Sequence, residues 1–170
     1  MEEASFLNLE KERLAYHFSP GKSPAVLFLP GFHSCMDGEK ALALEEHCLA
    51  KGNSMCRFDY RGHGLSSGIF DELTVSDWIE DAKKILNEVV VPKHDKVILV
   101  GSSMGGWIAC HIAVQYPERI GGIVGIAAAP DFLEDLYQKS SPVDQRSWRD
   151  RKSTRLNSSH DLASRMPSSA

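Results

Sequence analysis

Short apolar runs set off by turn residues alternate with amphipathic stretches along most of this chain. Residues 25–29 (AVLFL) form an unbroken apolar run between Pro24 and Pro30-Gly31. A run of that length without polar alternation reads as a strand buried on both faces of a parallel sheet. Asp37 is placed to cap a helix running to about Lys51, where Gly52 stops it. Residues 55–58 (MCRF) read as the next strand, ending at Asp59. Thr74-Val75-Ser76-Asp77 has the form of a capping box. Val75, Trp78, Ile79, Ala82, Ile85, Leu86 and Val89 then keep helical spacing to about Val89. Residues 97–100 (VILV) read as a strand, 103–116 as a helix ended by Pro117, and 120–127 as a further strand. Residues 1–20 leave space for earlier antiparallel strands, although the pattern there is poor.

Strand–helix alternation of this length predicts an α/β fold with a doubly wound, mostly parallel sheet. Sites in such sheets lie beyond the carboxyl ends of the strands. Three loops should meet there: 30–37, 59–68 and 101–105.

The third loop carries the chemistry. Gly101-Ser102-Ser103-Met104-Gly105 has the form G-x-S-x-G, preceded by the 97–100 strand and followed by a helix. In that context the pattern is a nucleophile elbow, which raises Ser103 to the top of the sheet with the following helix aimed at it. A glycine-rich strand–helix junction with a passive serine would match the bare pattern too; the flanking strand and helix argue against it. An elbow serine needs donors for the oxyanion, a base, and a group that orients the base. The donors fall to the backbone N–H of Met104 and that of Phe32, in the loop Leu29-Pro30-Gly31-Phe32.

No residue here reads as the base. In this fold the acid and then the histidine follow the serine in the chain. After Ser103 only His111 and His160 remain. His111 lies eight residues along the same helix, about 12 Å away at roughly 1.5 Å per residue. His33 and His63 lie in loops at the correct end of the sheet but precede the serine, and read as loop-packing or substrate-contacting residues. Asp59 and Arg61, in Asp59-Tyr60-Arg61-Gly62-His63-Gly64, read as braces of their loop rather than catalytic groups.

Composition narrows the partners. The chain has 170 residues and a net charge of -4, and no basic patch interleaved with aromatics, so nucleic acid is not an expected partner. The longest apolar stretch, 120–129, is too short and glycine-rich for a transmembrane segment. No G-x-G-x-x-G follows a strand and no G-K-[ST] loop is present, so no cofactor is expected. The four cysteines lack metal-ligand spacing and read as free thiols, and no metal is expected. The acidic N-terminus resembles neither a signal peptide nor a transit peptide. Residues 151–170 hold six serines and four basic residues without aromatic or apolar periodicity. They read as a disordered tail resembling translated adapter sequence, leaving 1–150 as a domain that ends mid-fold.

Three segments together resemble the α/β-hydrolase superfamily: Pro30-Gly31-Phe32-His33-Ser34 with Gly38-Glu39-Lys40-Ala41; Arg57-Phe58-Asp59-Tyr60-Arg61-Gly62-His63-Gly64; and Val100-Gly101-Ser102-Ser103-Met104-Gly105-Gly106-Trp107. They are most similar to the group that contains the mitochondrial palmitoyl-protein thioesterases, also described as acyl-glucuronide esterases, and related bacterial hydrolases. The resemblance implies the N-terminal part of an α/β-hydrolase fold, with a cap region starting near Asp131. It implies hydrolysis of acyl thioesters or esters, borne by an S-acylated protein or an acyl glucuronide, through an acyl-enzyme on Ser103. It also implies a mitochondrial compartment, and places the triad Asp and His in a C-terminal part absent here, so that the chain as written would be inactive. The alternative is a non-catalytic α/β-hydrolase-like binding module.

Overall fold

A computed structural model describes residues 3–129 and Gln138. The expected cap start near Asp131 and the 151–170 tail lie outside the described residues. The elements are β1 (Ser5–Asn8), β2 (Arg13–Ser19), β3 (Lys22–Leu29), α1 (Glu39–Lys51), β4 (Asn53–Phe58), a 3-10 turn (Phe70–Glu72), α2 (Val75–Ile85), a π turn (Leu86–Val90), β5 (Val97–Ser102), α3 (Met104–Gln115) and β6 (Ile120–Ile126). They build one six-stranded sheet in the order β1-β2-β4-β3-β5-β6. β1 and β2 are antiparallel, β2 pairs antiparallel with β4, and the β4-β3-β5-β6 block is parallel. Residues 1–20, where the sequence pattern was poor, hold the antiparallel pair β1 and β2.

Strand order dictates where the helices go. From β3 the chain crosses to β4 on one side, then returns past β3 to β5 on the other. Right-handed crossovers in opposite directions put their helices on opposite faces. α1 covers one face, where Phe28, Met55 and Val100 pack against Ala41 and Cys48. α2 and α3 cover the other, where Leu27, Leu29, Cys56, Phe58 and Leu99 pack against Trp78, Ile85, Ile108 and Ile112. Adjacent residues of β3 and β5 thus serve opposite cores, which is why both runs read as unbroken apolar segments. The reversal of direction leaves a crevice at the carboxyl ends of β3 and β5, the usual place for a site. Leu29 pairs with Gly101 there, so the two strands end level.

Local signals behave differently at the helix starts. The Thr74 box forms as expected: Thr74 Oγ1 accepts from the Asp77 N–H and Asp77 Oδ2 accepts from the Thr74 N–H at 2.8 Å. Asp37 does not cap α1. Gly38 is the N-cap and makes no side-chain cap bond, while the Asp37 carboxylate pairs with Arg57 Nη1 at 2.5 Å. A charged partner outcompetes the helix N–H groups for that carboxylate. The helix read as running to Val89 stops at Ile85 and continues as a π turn, with Val91 N–H bonded to the Leu86 carbonyl at 2.8 Å. The extra residue lets Leu86, Val89 and Val90 all face the core.

Arg57 is itself buried on the α1 face, where Nε donates to Glu45 Oε2 at 2.8 Å. Glu45 Oε1 accepts from Ser19 Oγ at 2.7 Å and lies 2.9 Å from His17 Nδ1. Burial raises the Glu45 pKa, but the bonds from Ser19, Arg57 and His17 outweigh it and hold the carboxyl below its usual 4.5. Glu45→Gln should cost about 3 kcal/mol at neutral pH by leaving Arg57 underpaired. A group with a lowered folded-state pKa stabilises above its unfolded value and loses that contribution as pH falls. Denaturant melts should therefore show the wild-type advantage constant at neutral pH and shrinking below pH 4.5. A penalty independent of pH would refute this account.

Candidate active site

β5 delivers Ser102 into the sheet, paired with Ile126, and the chain then turns sharply into α3. Ser103 sits at the turn with φ 50 and ψ -116, a conformation rarely adopted by a residue with a side chain. It occupies the N-cap of α3, yet its hydroxyl caps nothing. Its backbone is pinned instead: Ser103 N–H bonds to the Ile126 carbonyl at 3.1 Å, and its carbonyl accepts from Gly106 at 2.9 Å and Ala129 at 3.3 Å. The turn over-determines the strained residue and leaves the half-buried hydroxyl uncommitted to the helix. Close approach demands glycine here. A Cβ at Gly105 would overlap the Leu29 carbonyl oxygen and come within 2.6 Å of that of Pro30.

The 30–37 loop faces this turn. A Cβ at Gly31 would stand 3.5 Å from Ser103 Cβ and 3.2 Å from the Ser102 carbonyl. The backbone that follows, at Phe32, is thus brought beside the serine. The Phe32 ring packs edge-on against Trp78 and His33, at 5.7 and 4.5 Å between centroids. Met104 is the first residue of α3, so its N–H is among those without an intrahelical acceptor, at the positive end of the helix dipole.

The 59–68 loop supports the 30–37 loop. Asp59 is 1 % exposed, and its carboxylate accepts from the Met36 N–H at 2.6 Å and the Leu65 N–H at 2.8 Å. Burial pushes its pKa up against those two bonds. Gly64, at φ 47, passes so close that a Cβ would lie 2.7 Å from Asp59 Oδ1. Arg61 anchors the far side through Asp81 at 2.7 Å and Glu12 at 2.9 Å. Burial lowers the Arg61 pKa, but Glu12 and Asp81 outweigh it and raise it; burial also pushes Asp81 up to about 6. Both residues do what the sequence suggested, bracing their loop. Their partners were not legible there, since Glu12 and Asp81 meet Arg61 only across the fold.

The histidines separate. His33 and His63 lie in the 30–37 and 59–68 loops, with ring centroids 6.3 Å apart. His111 lies two turns along α3 with its ring 4.1 Å from that of Trp107. His160 lies outside the described residues. No cluster of His, Cys, Asp or Glu suited to a metal ion occurs among the described residues.

The profile of the family described as serine aminopeptidase, S33 matches residues 22–167. The chain belongs to that family. This S33-family chain is 45 % identical over 134 residues to the mitochondrial palmitoyl-protein thioesterase ABHD10 of Mus musculus, covering 78 % of this chain and 44 % of the relative. The Homo sapiens protein of the same name is 43 % identical over 136 residues, with coverages of 79 % and 44 %. The chain thus spans less than half the length of these relatives. The solved structure of alpha/beta hydrolase domain-containing protein 10 from mouse superposes with a TM-score of 0.79 at 40 % identity, over 87 % of this chain and 58 % of that one. A putative hydrolase from Agrobacterium vitis gives 0.73 at 34 %, over 88 % and 60 %. The S33-family fold here is accordingly that of an α/β hydrolase, as expected from the sequence. No helix among the described residues is long and apolar enough to cross a membrane.

Proposed function

We propose that this chain carries the nucleophile half of a serine hydrolase that cleaves acyl thioesters or carboxylic esters. Ser103 Oγ attacks the acyl carbonyl, the thiol or alcohol leaves, and water releases the acid from the acyl-enzyme. The N–H groups of Met104 and Phe32 bind the oxyanion, contributing about 2.7–4 kcal/mol each to the transition state. The observation that carries this reading is the strained Ser103, held at φ 50 with its hydroxyl free of helix capping. A binding module would have no use for that conformation. An S-acylated protein as substrate and a mitochondrial place of action are inferred from the relatives' names, and acyl glucuronides, the second candidate, from the sequence resemblance alone.

The test is a chimera in which residues 22–129 replace the matching segment of the mouse relative and the rest of that protein is kept. Acid-quenched turnover of a short activated thioester should leave the acyl group on the peptide containing Ser103. Turnover with no adduct on that peptide under rapid quench would overturn the acyl-enzyme reading.

A further inference from the structure

His63 is buried in the loop after β4, walled by the rings of Tyr60, Phe70 and Trp78 at 5.8, 5.0 and 5.1 Å. Its Nδ1 lies 3.2 Å from the Arg61 carbonyl oxygen. A carbonyl only accepts, so Nδ1 carries the proton and Nε2 keeps its lone pair. Nε2 is fully buried and has no hydrogen-bond partner. Burial lowers the His63 pKa, the Arg61 carbonyl bond working against it, so the ring stays neutral at neutral pH. A buried acceptor left unpaired in a native fold calls for an explanation.

The donors around it can be sorted. Tyr60 OH is directed to the Pro30 carbonyl at 3.4 Å, and Trp78 Nε1 donates to the Arg61 carbonyl at 3.1 Å. Phe70 has none. The remaining ring is His33, exposed, stacked on Phe70 at 4.3 Å and held at φ 56. Its centroid is 6.3 Å from that of His63. Two imidazoles joined by an N–H···N bond of about 2.9 Å have centroids about 5.2 Å apart. The observed separation lies about 1 Å beyond that spacing.

We propose that His33 and His63 form a hydrogen-bonded latch between the 30–37 and 59–68 loops, with the His33 ring donating to His63 Nε2. His33 follows Phe32 directly, so closing the latch fixes the peptide that carries the Phe32 N–H. Both histidines are positioning residues. The proposal rests on the reading of Phe32 as an oxyanion donor. Asp59 ties the same two loops further back, through Met36 and Leu65. The latch acts at the serine end, where the aim of one N–H decides its worth.

The experiment uses the full chain labelled with 15N-histidine. In the wild type, His63 should show the Nδ1-protonated form at neutral pH, with a scalar coupling across the hydrogen bond from His63 Nε2 to a ring nitrogen of His33. His33→Phe should abolish the coupling and move His63 Nε2 to the resonance of an unbonded acceptor. Amide exchange at Ser34, whose N–H bonds to the Gly31 carbonyl at 3.1 Å across this turn, should speed up about tenfold in that variant, because its loop opens locally. His33→Gln, whose amide can still donate, should keep Ser34 exchange slow. His33 is exposed, so these variants should melt with the wild type. An Nε2-protonated His63, or Ser34 exchange unchanged by His33→Phe, would overturn the latch. Either result would leave the role of Ser103 standing, since that role is read from turnover and acyl transfer in the chimera.

Discussion

Ser103→Ala in the chimera should lower thioester hydrolysis by roughly 10^4- to 10^6-fold, the range lost when a triad serine is removed. The reason is chemical. Without the hydroxyl no acyl-enzyme forms, and the oxyanion donors alone support only a small remnant of the rate. Ser102→Ala is the control. Ser102 lies in β5, buried and paired with Ile126, so its loss should change the rate by less than about tenfold. Melting curves of the two variants should match the wild type, because the Ser103 hydroxyl makes no cap bond. A Ser103→Ala chimera retaining a rate within tenfold of its parent would remove Ser103 from the mechanism. The same comparison in the 170-residue chain should show no difference between wild type and variant. A serine hydroxyl is a weak nucleophile without a base, and among the described residues after Ser103 the one histidine, His111, stands about 12 Å along α3. His33 stacks on Phe70, and His63 meets Trp78 edge-on instead. A serine-dependent rate in this chain would mean that one of them serves as the base, and His33→Ala and His63→Ala would identify it.

Gly105→Ala should abolish cooperative folding, a loss of more than about 4 kcal/mol. The added methyl would be driven into the Leu29 carbonyl oxygen, with the Pro30 oxygen 2.6 Å away. Both obstacles are backbone, and Leu29 is held in register against Gly101 of β5, so neither can yield as a side chain would. Relief would require moving α3 off the sheet, which breaks the packing of Ile108 and Ile112 against Leu27 and Leu99. Gly121→Ala is the comparison, since the nearest atom to its Cβ is Ile98 Cδ1 at 3.4 Å, the end of a flexible side chain. Thermal melts by circular dichroism should show a cooperative transition for Gly121→Ala and none for Gly105→Ala. A Gly105→Ala variant melting within a few degrees of the wild type would show that the helix tolerates displacement.

The sequence by itself determined the α/β alternation, the buried strands of the central sheet and the position of the elbow. These are local or periodic signals: an apolar run needs a strand buried on both faces, and G-x-S-x-G between strand and helix needs one backbone turn. The capping box at Thr74 was legible for the same reason, because both partners lie within four residues. What only the tertiary structure decided are contacts between residues distant in the chain. Asp37 looked like a cap and became the partner of Arg57, a residue twenty positions away whose pull exceeds that of helix N–H groups. The helical spacing through Val89 was correct, but the switch to a π turn answered the shape of the core and not the local sequence. Asp59 was read as a brace from its loop; that it holds Met36 in another loop follows from strand order, which brings the ends of β3 and β4 side by side. The pairing of His33 with His63 has the same origin. Thirty residues separate them along the chain, and no period or spacing relates them. They meet because β3 and β4 are parallel neighbours and both open their loops at the same end of the sheet.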